Sequence, residues 1–259
     1  MIRITVLGGA AACPNPGQGC SAYLLETDGH RLLLDCGPDT LATLQEHIAI
    51  DELSGIIISH LHADHALDLV PLRYGLKYMP GLARRSVPLW LPPDGRAFLA
   101  GLATVLAHGE VAEDFFEEVF HITEYAPDQP LQLGELTIRF RPTRHYIPCW
   151  ACRIETAGRA IVYLADTGPF PELIPFTEKA DLVICEGTYR DVPAGLPIEL
   201  RGHLTAREAG TLAAAAGAGR LLLTHFWATL GVQALRQEAE DAFGRPVDVA
   251  APGLVIEIP

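Results

Sequence analysis

Hydrophobic and polar positions along the chain alternate in short runs that predict β-strands, interleaved with stretches of helical spacing. The strand-like runs cover residues 2–7, 22–26, 31–35, 87–91, 136–140, 151–156, 159–164, 181–188, 220–224 and 254–258. A further apolar, β-branched run occupies residues 56–58. Helical spacing covers residues 41–48, 67–78, 94–108, 113–119, 206–216 and 233–243. Two pairs of the strands are predicted hairpins, with turns at Asp28-Gly29 and Ala157-Gly158.

The composition is that of a folded protein of one large domain or two closely packed halves. Hydrophobic residues make up 49% of the 259-residue chain, enough for a substantial core, and we treat residues 1–259 as a single domain. The net charge of −13 would repel a polyanion at long range, so general nucleic-acid binding is disfavoured unless a local basic patch overrides it. No uncharged apolar run reaches the roughly 18 residues that a membrane span needs. We therefore predict a cytoplasmic protein with no membrane partner.

The candidate chemistry is concentrated in the sequence Ser-His-Leu-His-Ala-Asp-His at residues 59–65, directly after the β-branched run. Imidazole and carboxylate groups resist burial unless something pairs with them, so either a metal or other polar groups must satisfy these side chains. If the chain first stays extended, His60 and His62 point to the same side. A helix that begins near His65 would then turn Asp64 and His65 away from that pair. Such a change would allow two ions to lie side by side.

The pattern H-x-H-x-D-H after an apolar strand resembles the metal motif of the metallo-β-lactamase superfamily. The resemblance implies an α/β protein with the four-layer αβ/βα sandwich of the metallo-β-lactamase fold. In that superfamily the later ligands follow strand ends, in the order His, bridging Asp, His. The candidates here are His145, Asp166 and His225. An unpaired carboxylate at Asp166, at the end of a buried strand, would be costly, and bridging two cations would remove that cost.

The resemblance assigns the ligands to two neighbouring ions. The first ion is expected to bind His60, His62 and His145, the second to bind Asp64, His65 and His225, and Asp166 to bridge them. Asp64 is also expected to take part in catalysis. Asp35, in the sequence Asp-Cys-Gly, resembles the Asp-x-Gly corner of the superfamily, whose carboxylate braces the histidine loop and does not bind metal. We therefore expect Asp35 to fix the free ring nitrogen of a ligand.

Imidazole and carboxylate ligands suit Zn²⁺ best, and Mn²⁺, Fe²⁺ and Co²⁺ are alternatives because no soft ligand selects against them. Two divalent ions bring four positive charges against two carboxylates, so the pocket should favour an anionic substrate. Metal-bound water loses its proton near neutral pH, and a pair of ions stabilises both the attacking and the leaving oxygen of a displacement. Hydrolysis is therefore the expected reaction class. The ions alone do not choose among phosphodiester, thioester, lactone and lactam substrates.

Two further stretches resemble motifs of ribonuclease Z and of its small phosphodiesterase relatives within the superfamily. They are Cys-Glu-Gly-Thr at residues 185–188 and Gly-His-Leu-Thr at residues 202–205. The resemblance implies that His203, which is not a ligand, protonates the leaving alkoxide as a general acid and that Glu186 orients it. A phosphodiester needs such an acid because its leaving oxygen is poor. The alternative is that His203 is a structural residue of the loop that caps the next helix.

The chain departs from ribonuclease Z in one region. That family has a long basic, glycine-rich arm for gripping tRNA between the third ligand histidine and the bridging aspartate, but here only residues 146–165 lie between them. We therefore predict hydrolysis of a small or cyclic phosphodiester, with tRNA disfavoured as a partner. A ribonuclease Z-like RNA endonuclease, a thioester or lactone hydrolase that does not need His203, and a metal-dependent binding or carrier protein of the same fold stay open. A homodimer stays open as well.

The six cysteines are sparse and scattered, which does not indicate a disulfide framework. Cys13 and Cys20 flank a loop and are interpreted as ordinary loop residues, since two thiols lack the other two ligands of a structural zinc; a bridge between them stays open. Cys149 and Cys152 form a Cys-Trp-Ala-Cys sequence. Positions three apart on a strand face opposite sides, so a joint zinc or redox role is disfavoured.

A local excess of positive charge is formed by Arg73, Lys77, Arg84 and Arg85. This group is interpreted either as a rim that steers phosphate or as a solvated helix face with its following loop. Residues 80–85 are expected to be a mobile segment that is either a lid or a contact with a partner subunit.

Overall fold

The computed structural model of the protein describes residues 1–27, 29–83, 85–192 and 195–259. Its strands are β1 Ile2–Ala10, β2 Gly19–Cys20, β3 Ala22–Thr27, β4 His30–Leu34, β5 Gly55–Ile57, β6 Val87–Leu91, β7 Phe120–Glu124, β8 Leu131–Leu133, β9 Leu136–Pro142, β10 Trp150–Thr156, β11 Arg159–Tyr163, β12 Leu182–Glu186, β13 Arg220–Thr224, β14 Asp248–Val249 and β15 Val255–Ile258. Its helices are α1 Leu41–His47, α2 Ala63–Ala66, α3 Leu69–Tyr78, α4 Gly95–Leu106, α5 Asp114–Glu117, α6 Leu173–Thr177, α7 Ala206–Ala215 and α8 Val232–Phe243, with short 3-10 turns at Ile50–Glu52, Ile198–Leu200 and Ala228–Leu230. Among the described residues, no helix has both the length and the apolar character needed to cross a membrane.

Two stacked β-sheets form the centre of the fold. The first has the strand order β15-β1-β3-β4-β5-β6-β7, with β2 paired to β1, and the second has the order β14-β13-β12-β11-β10-β9-β8. Residues of both sheets share one hydrophobic core, for example Ile4 and Leu34 of the first sheet and Ile138 and Ile161 of the second. Because side chains alternate between the two faces of a strand, the apolar positions of each sheet can be buried against the other sheet.

Helices cover the outer face of each sheet. α3 and α4 bury Leu72 and Leu99 in a second core that lies against the first sheet. α7 and α8 bury Leu212 and Leu235 against the second sheet. The layers are therefore helix, sheet, sheet and helix, and the predicted α/β four-layer sandwich is confirmed.

The candidate functional residues lie where parallel strands end. β4 and β5 run parallel in the first sheet, and β11, β12 and β13 run parallel in the second. Side chains at the carboxyl ends of neighbouring parallel strands lie at one edge of the sheet, which is where α/β proteins place ligand sites. The residues at or just after these ends are Asp35, His60, Asp166, Glu186 and His225.

The predicted elements agree with the structure apart from boundaries and a few short pieces. The helix expected at residues 67–78 is α3, which begins two residues later at Leu69, and the short helix α2 lies before it at Ala63–Ala66. The strands β2, β7, β8 and β14 and the helix α6 are absent from the prediction; each has five residues or fewer, and its sequence did not stand out as a periodic run. Asp28 of the first hairpin turn and Arg84 of the basic segment lie outside the described residues.

Arg73 is fully buried, which contradicts both the phosphate-steering and the solvated interpretation of this residue. Its Nε donates to the Phe115 carbonyl at 2.7 Å, and its guanidinium lies over the Phe115 ring with Cζ 3.9 Å from the centroid. Arg73 and Lys77 both form ion pairs with Glu110 and Glu118. The charge of Arg73 therefore holds α3 to a neighbouring segment of the same layer, because buried guanidinium groups require partners.

We predict that Arg73→Ala lowers the free energy of unfolding by about 2–4 kcal/mol, because it opens a cavity beside Phe115 and removes the donor to a buried carbonyl. Denaturant unfolding followed by circular dichroism measures this change. The control is Arg139→Ala, since Arg139 belongs to an exposed ion pair with Glu155 and should contribute less than about 1 kcal/mol. Equal effects of the two substitutions would contradict the structural role of Arg73.

Candidate metal site

All the side chains predicted as ligands converge at one edge of the two sheets. Ligand atoms of His60, His62, His145 and Asp166 lie within 4.8 Å of one another, and so do those of Asp64, His65 and His225. These are the two sets that were expected to hold two ions, with the bridging candidate Asp166 in contact with the first. Ligation by these residues remains a prediction.

The loop after β5 changes from extended to helical in the way that its spacing indicates. His62 has extended backbone angles (φ −69°, ψ 151°) and immediately precedes α2. His60 and His62 therefore belong to the first set, whereas Asp64 and His65, within α2, belong to the second. The N–H of Ala12 donates to Asp64 Oδ2 at 2.8 Å, which ties the loop after β1 to this helical turn.

Asp35 braces the histidine-rich loop, as predicted. Asp35 is fully buried, and its Oδ2 accepts hydrogen bonds from His65 Nδ1 at 2.7 Å and from the Tyr163 hydroxyl at 2.6 Å. The backbone N–H of Ser59 donates to Asp35 Oδ1 at 2.7 Å and the Ser59 hydroxyl to Oδ2 at 2.8 Å. These bonds fix both the His65 ring and the start of the loop. Sequence reasoning missed Tyr163, whose only signal is a polar tip at the end of a buried strand.

Hydrogen bonds to the backbone and to a hydroxyl assign the tautomers of two further histidines. His145 Nδ1 donates to the Gly202 carbonyl at 2.9 Å, and His225 Nδ1 donates to Thr188 Oγ1 at 2.8 Å. A neutral ring with its proton on Nδ1 has its lone pair on Nε2. The Nε2 atoms of both rings therefore face the cluster as acceptors, which is the form that binds metal.

Nitrogen and oxygen atoms of the cluster face one another at short distances. His62 Nδ1 lies 3.0 Å from His145 Nε2. Asp166 Oδ2 lies 3.4 Å from His225 Nε2, and Asp166 Oδ1 lies 3.4 Å from His65 Nε2. Within the described part of the chain, His65 Nε2 and Asp166 Oδ1 have no hydrogen-bond partner. Buried acceptors without donors are costly, and divalent cations between them would satisfy them, so the residues fit a metal site.

Burial and neighbouring charges together set the protonation of the cluster. Burial lowers the pKa of His60 well below the ordinary histidine value. Burial also lowers the pKa of His65, but the carboxylates of Asp166 and Asp35 outweigh it and raise that pKa well above the ordinary value. For Asp166, burial raises the pKa, but His225 and His65 outweigh it and hold the pKa well below its usual range. The ionised carboxylate thus attracts positive charge, and a proton or a cation can supply it.

His203, the predicted acid, is hydrogen-bonded to Glu186, its predicted partner. His203 Nδ1 donates to Glu186 Oε1 at 2.9 Å, and Glu186 is fully buried at the end of β12. The same carboxylate accepts hydrogen bonds from Thr167 N–H at 2.7 Å, from the Thr188 hydroxyl at 2.6 Å and from Leu204 N–H at 3.1 Å. Burial lowers the pKa of His203, but the Glu186 carboxylate outweighs burial and raises the pKa to about 9. The imidazolium form therefore predominates at neutral pH.

Aromatic rings surround His203. Its ring stacks on His225, with centroids 5.5 Å apart and an interplanar angle of 17°. The rings of Tyr146 and Tyr189 meet it edge to face at 5.5 and 5.7 Å. A ring nitrogen of His203 lies within 4.8 Å of ligand atoms of Asp166 and His225. Sequence reasoning missed both tyrosines, although each directly follows a motif that it singled out.

The six cysteines are free thiols. Cys149 and Cys152 are buried in the core shared by the sheets, and burial raises the pKa of both thiols. A raised pKa lowers the reactivity of a thiol, and burial in the core agrees with the predicted packing role of both residues. Cys13 is exposed and Cys20 is buried, and neither forms the bridge that the sequence left open.

Comparison with known proteins identifies the family. Residues 30–226 match the family model described as the beta-lactamase superfamily domain, which is most of the chain. Together with the stacked sheets and the histidine-rich edge, this match means that the protein belongs to the metallo-β-lactamase superfamily. Its relatives lie in a family of metallo-hydrolases that includes ribonuclease Z, as the sequence motifs predict.

The individual relatives match over nearly their full lengths. The chain is 33% identical to the probable metallo-hydrolase YhfI of Bacillus subtilis, over 99% of this chain and 100% of that protein. The crystal structure of YhfI is similar with a TM-score of 0.86 at 32% identity, covering 99% of this chain and 100% of that one. Ribonuclease Z of Ignicoccus hospitalis is 27% identical, over 93% of this chain and 92% of that protein. The crystal structure of the short form of human tRNase Z has a TM-score of 0.75 at 26% identity and covers 99% of each chain.

We predict that Asp35→Asn weakens Zn²⁺ binding roughly 10- to 100-fold, because the amide cannot accept the bonds that orient His65 as the carboxylate does. Competition with a chromogenic chelator measures the affinity without any need for turnover. The matched control is Asp181→Asn, whose carboxylate pairs with Arg159 at 2.9 Å away from the cluster. Zinc affinity that is the same in Asp35→Asn and in the unchanged protein would show that the brace is not needed.

Proposed function

We propose that this protein is a dinuclear-metal phosphodiesterase that hydrolyses a small or cyclic phosphodiester, with His203 as the general acid. The observation that carries the proposal is His203 itself, which is held by the buried Glu186 and lies within 4.8 Å of ligand atoms of the cluster. The thiolate of a thioester leaves more easily than an alkoxide and has less need of an acid. A protonated imidazole beside the candidate ions therefore favours a substrate with a poor leaving oxygen.

Two divalent ions are proposed, each held by three side chains, with Asp166 bridging. The first would be held by His60, His62 and His145 and the second by Asp64, His65 and His225. When bound, such ions lower the pKa of water and neutralise charge on phosphoryl oxygens. Zn²⁺ is the proposed metal, and the same imidazole and carboxylate donors also suit Mn²⁺, Fe²⁺ and Co²⁺.

The proton in the proposed reaction comes from His203 Nε2, because Nδ1 is engaged by Glu186. The Glu186 carboxylate raises the pKa of His203 and so favours the ring that carries this proton before the ester bond breaks. Transfer of the proton to the departing oxygen lets an alcohol leave in place of an alkoxide. Glu186 keeps the ring in this orientation and stabilises its charge.

Asp64 is proposed as a ligand that also takes part in catalysis. Its Oδ2 accepts a hydrogen bond from Ala12 N–H at 2.8 Å, which fixes the orientation of the carboxylate, and the same oxygen lies 3.1 Å from His225 Nε2. The side chain remains 10% exposed. A fixed carboxylate that reaches solvent can accept a hydrogen bond from the attacking water and direct it toward the substrate.

A small diester is favoured over tRNA by the region between His145 and Asp166. β10 and β11 pair along their length there, as an ordinary hairpin of the second sheet. The net charge of −13 also opposes a long polyanion. Similarity to proteins named ribonuclease Z keeps an RNA substrate as the alternative.

We predict that the protein releases 4-nitrophenol from bis(4-nitrophenyl) phosphate and that dialysis against a chelator abolishes this activity. Chelation should abolish the activity because the cluster loses its positive charge when the ions are removed, and added Zn²⁺ or Mn²⁺ should restore it. Absorbance of 4-nitrophenolate measures the rate, and plasma emission spectroscopy gives the number of ions per chain. A fully metal-loaded protein without turnover would favour the binding or carrier function.

We predict that His203→Ala reduces kcat/KM on a diester with an alkyl leaving group roughly 10²- to 10⁴-fold, because an unprotonated alkoxide must then depart. The kcat/KM on bis(4-nitrophenyl) phosphate, whose leaving group needs no proton, should fall much less. The metal content should not change. The control is His121→Ala, since His121 is an exposed histidine of β7. Equal losses on both esters would refute the acid role.

A further inference from the structure

Two tyrosines outside the predicted motifs flank His203. The hydroxyls of Tyr146 and Tyr189 lie 3.2 Å apart and share a hydrogen bond. Both rings contact the His203 ring, and the Tyr146 ring also lies 5.2 Å from the ring of His145. Tyr146 is nevertheless 54% exposed. The pair therefore offers aromatic surface to solvent directly beside the group proposed to protonate the leaving oxygen.

The backbone next to His203 holds both tyrosines in position. Tyr189 N–H donates to the Leu204 carbonyl at 3.0 Å. The Tyr146 ring lies against Gly202, where an added Cβ would come within 2.7 Å of the ring. Tyr146 is thus an exposed ring whose position is fixed by contacts that do not bury it. Packing in a core does not explain such an arrangement, whereas contact with a ligand does.

Two exposed apolar side chains lie on a turn that Arg144 contacts, close to His145 in the chain. Ile198 and Leu200 are 50% and 64% exposed and lie on one 3-10 turn. Arg144, which directly precedes His145, contacts the Ile198 carbonyl at 3.5 Å, so this turn lies beside the third predicted ligand. Apolar groups that cluster at the border of a polar site indicate a surface for a ligand.

We propose that Tyr146 and Tyr189 form a subsite for a planar aromatic group, such as a nucleobase, carried by the leaving alcohol of the substrate. The proposal rests on the proposed function, because His203 defines the side on which the leaving oxygen departs. Aromatic side chains bind bases by stacking, which tolerates any base since every base has a π-face. The substrate class is thereby narrowed from small phosphodiesters to nucleoside phosphodiesters.

The test compares adenosine 2′,3′-cyclic phosphate with 1-O-methylribose 2′,3′-cyclic phosphate. The two share the cyclic diester and differ in the base, and whichever bond breaks, the leaving oxygen belongs to the ribose. We expect the metal-loaded protein to prefer the adenosine ester in kcat/KM by roughly 5- to 150-fold, the range of one stacked base. Tyr146→Ala should bring this preference close to unity, and Tyr146→Phe, which keeps the ring, should retain most of it.

The matched control is Tyr78→Ala, because Tyr78 is 53% exposed and lies on α3, away from His203. It should keep the preference of the unchanged protein. If Tyr146→Ala slows both esters equally, the ring only positions His145 or His203, and the subsite is refuted. The subsite is also refuted if the unchanged protein cleaves both esters at the same rate.

A binding measurement separates failure of the subsite from failure of the proposed function. Calorimetry compares adenosine 5′-monophosphate with ribose 5-phosphate on the metal-loaded protein, with and without Tyr146→Ala. Tighter binding of the nucleotide that disappears in Tyr146→Ala supports the subsite even if neither cyclic ester is cleaved. In that case the phosphodiesterase activity is what fails. Equal affinity for the two monoesters overturns the subsite whatever the activity.

Discussion

A buried carboxylate among imidazole acceptors is the constraint on which the site depends. Asp166 follows the inner strand β11, and in the part of the chain that the structure describes its Oδ1 has no hydrogen-bond donor. The carboxylate of Asp166 lies 3.4 Å from His65 Nε2 and 3.4 Å from His225 Nε2. Each of these nitrogens can either donate a proton to the carboxylate or, when unprotonated, bind a cation together with it. A charge buried in this way is tolerated only when positive charge is supplied. The carboxylate and the histidines therefore form one unit whose members cannot be understood separately.

Two other buried carboxylates influence that unit indirectly, because each is hydrogen-bonded to a histidine at the site. Asp35 accepts hydrogen bonds from Ser59, His65 and Tyr163, and so fixes a ring of the cluster from the side away from its centre. Glu186 does the same for His203, through its Oε1. Both carboxylates are surrounded by N–H and O–H donors and have no need of a cation. Asp35 and Glu186 therefore differ from Asp166 in the number of hydrogen-bond donors around the carboxylate, and residue type matters less.

Sequence reasoning reaches the histidine-rich loop because its chemistry and its geometry are both local. The alternation of a strand followed by a helical turn is enough to divide His60, His62, Asp64 and His65 between the two candidate ligand sets. His145, Asp166 and His225 were found only through the order of a family motif, since their convergence depends on which strands pair. Tyr163 was missed for the same reason, because its hydroxyl belongs to the second sheet and donates to Asp35 at the end of a strand of the first sheet. Arg73 was wrongly interpreted because the carboxylates that bury it come from a distant part of the chain.

The last strand has a consequence for the molecule as a whole. The second sheet runs from β8 to β14, but β15 returns to the first sheet and pairs antiparallel with β1, with Ile258 opposite Ile2. β1 and β15 are thus joined in one sheet, and the chain between them builds the rest of the first sheet and all of the second. Neither half can detach while this pairing lasts, so the halves are expected to unfold as one cooperative unit. The candidate ligand side chains from the two halves are therefore held in fixed relative positions. Little conformational entropy is lost when they bind the same ligand.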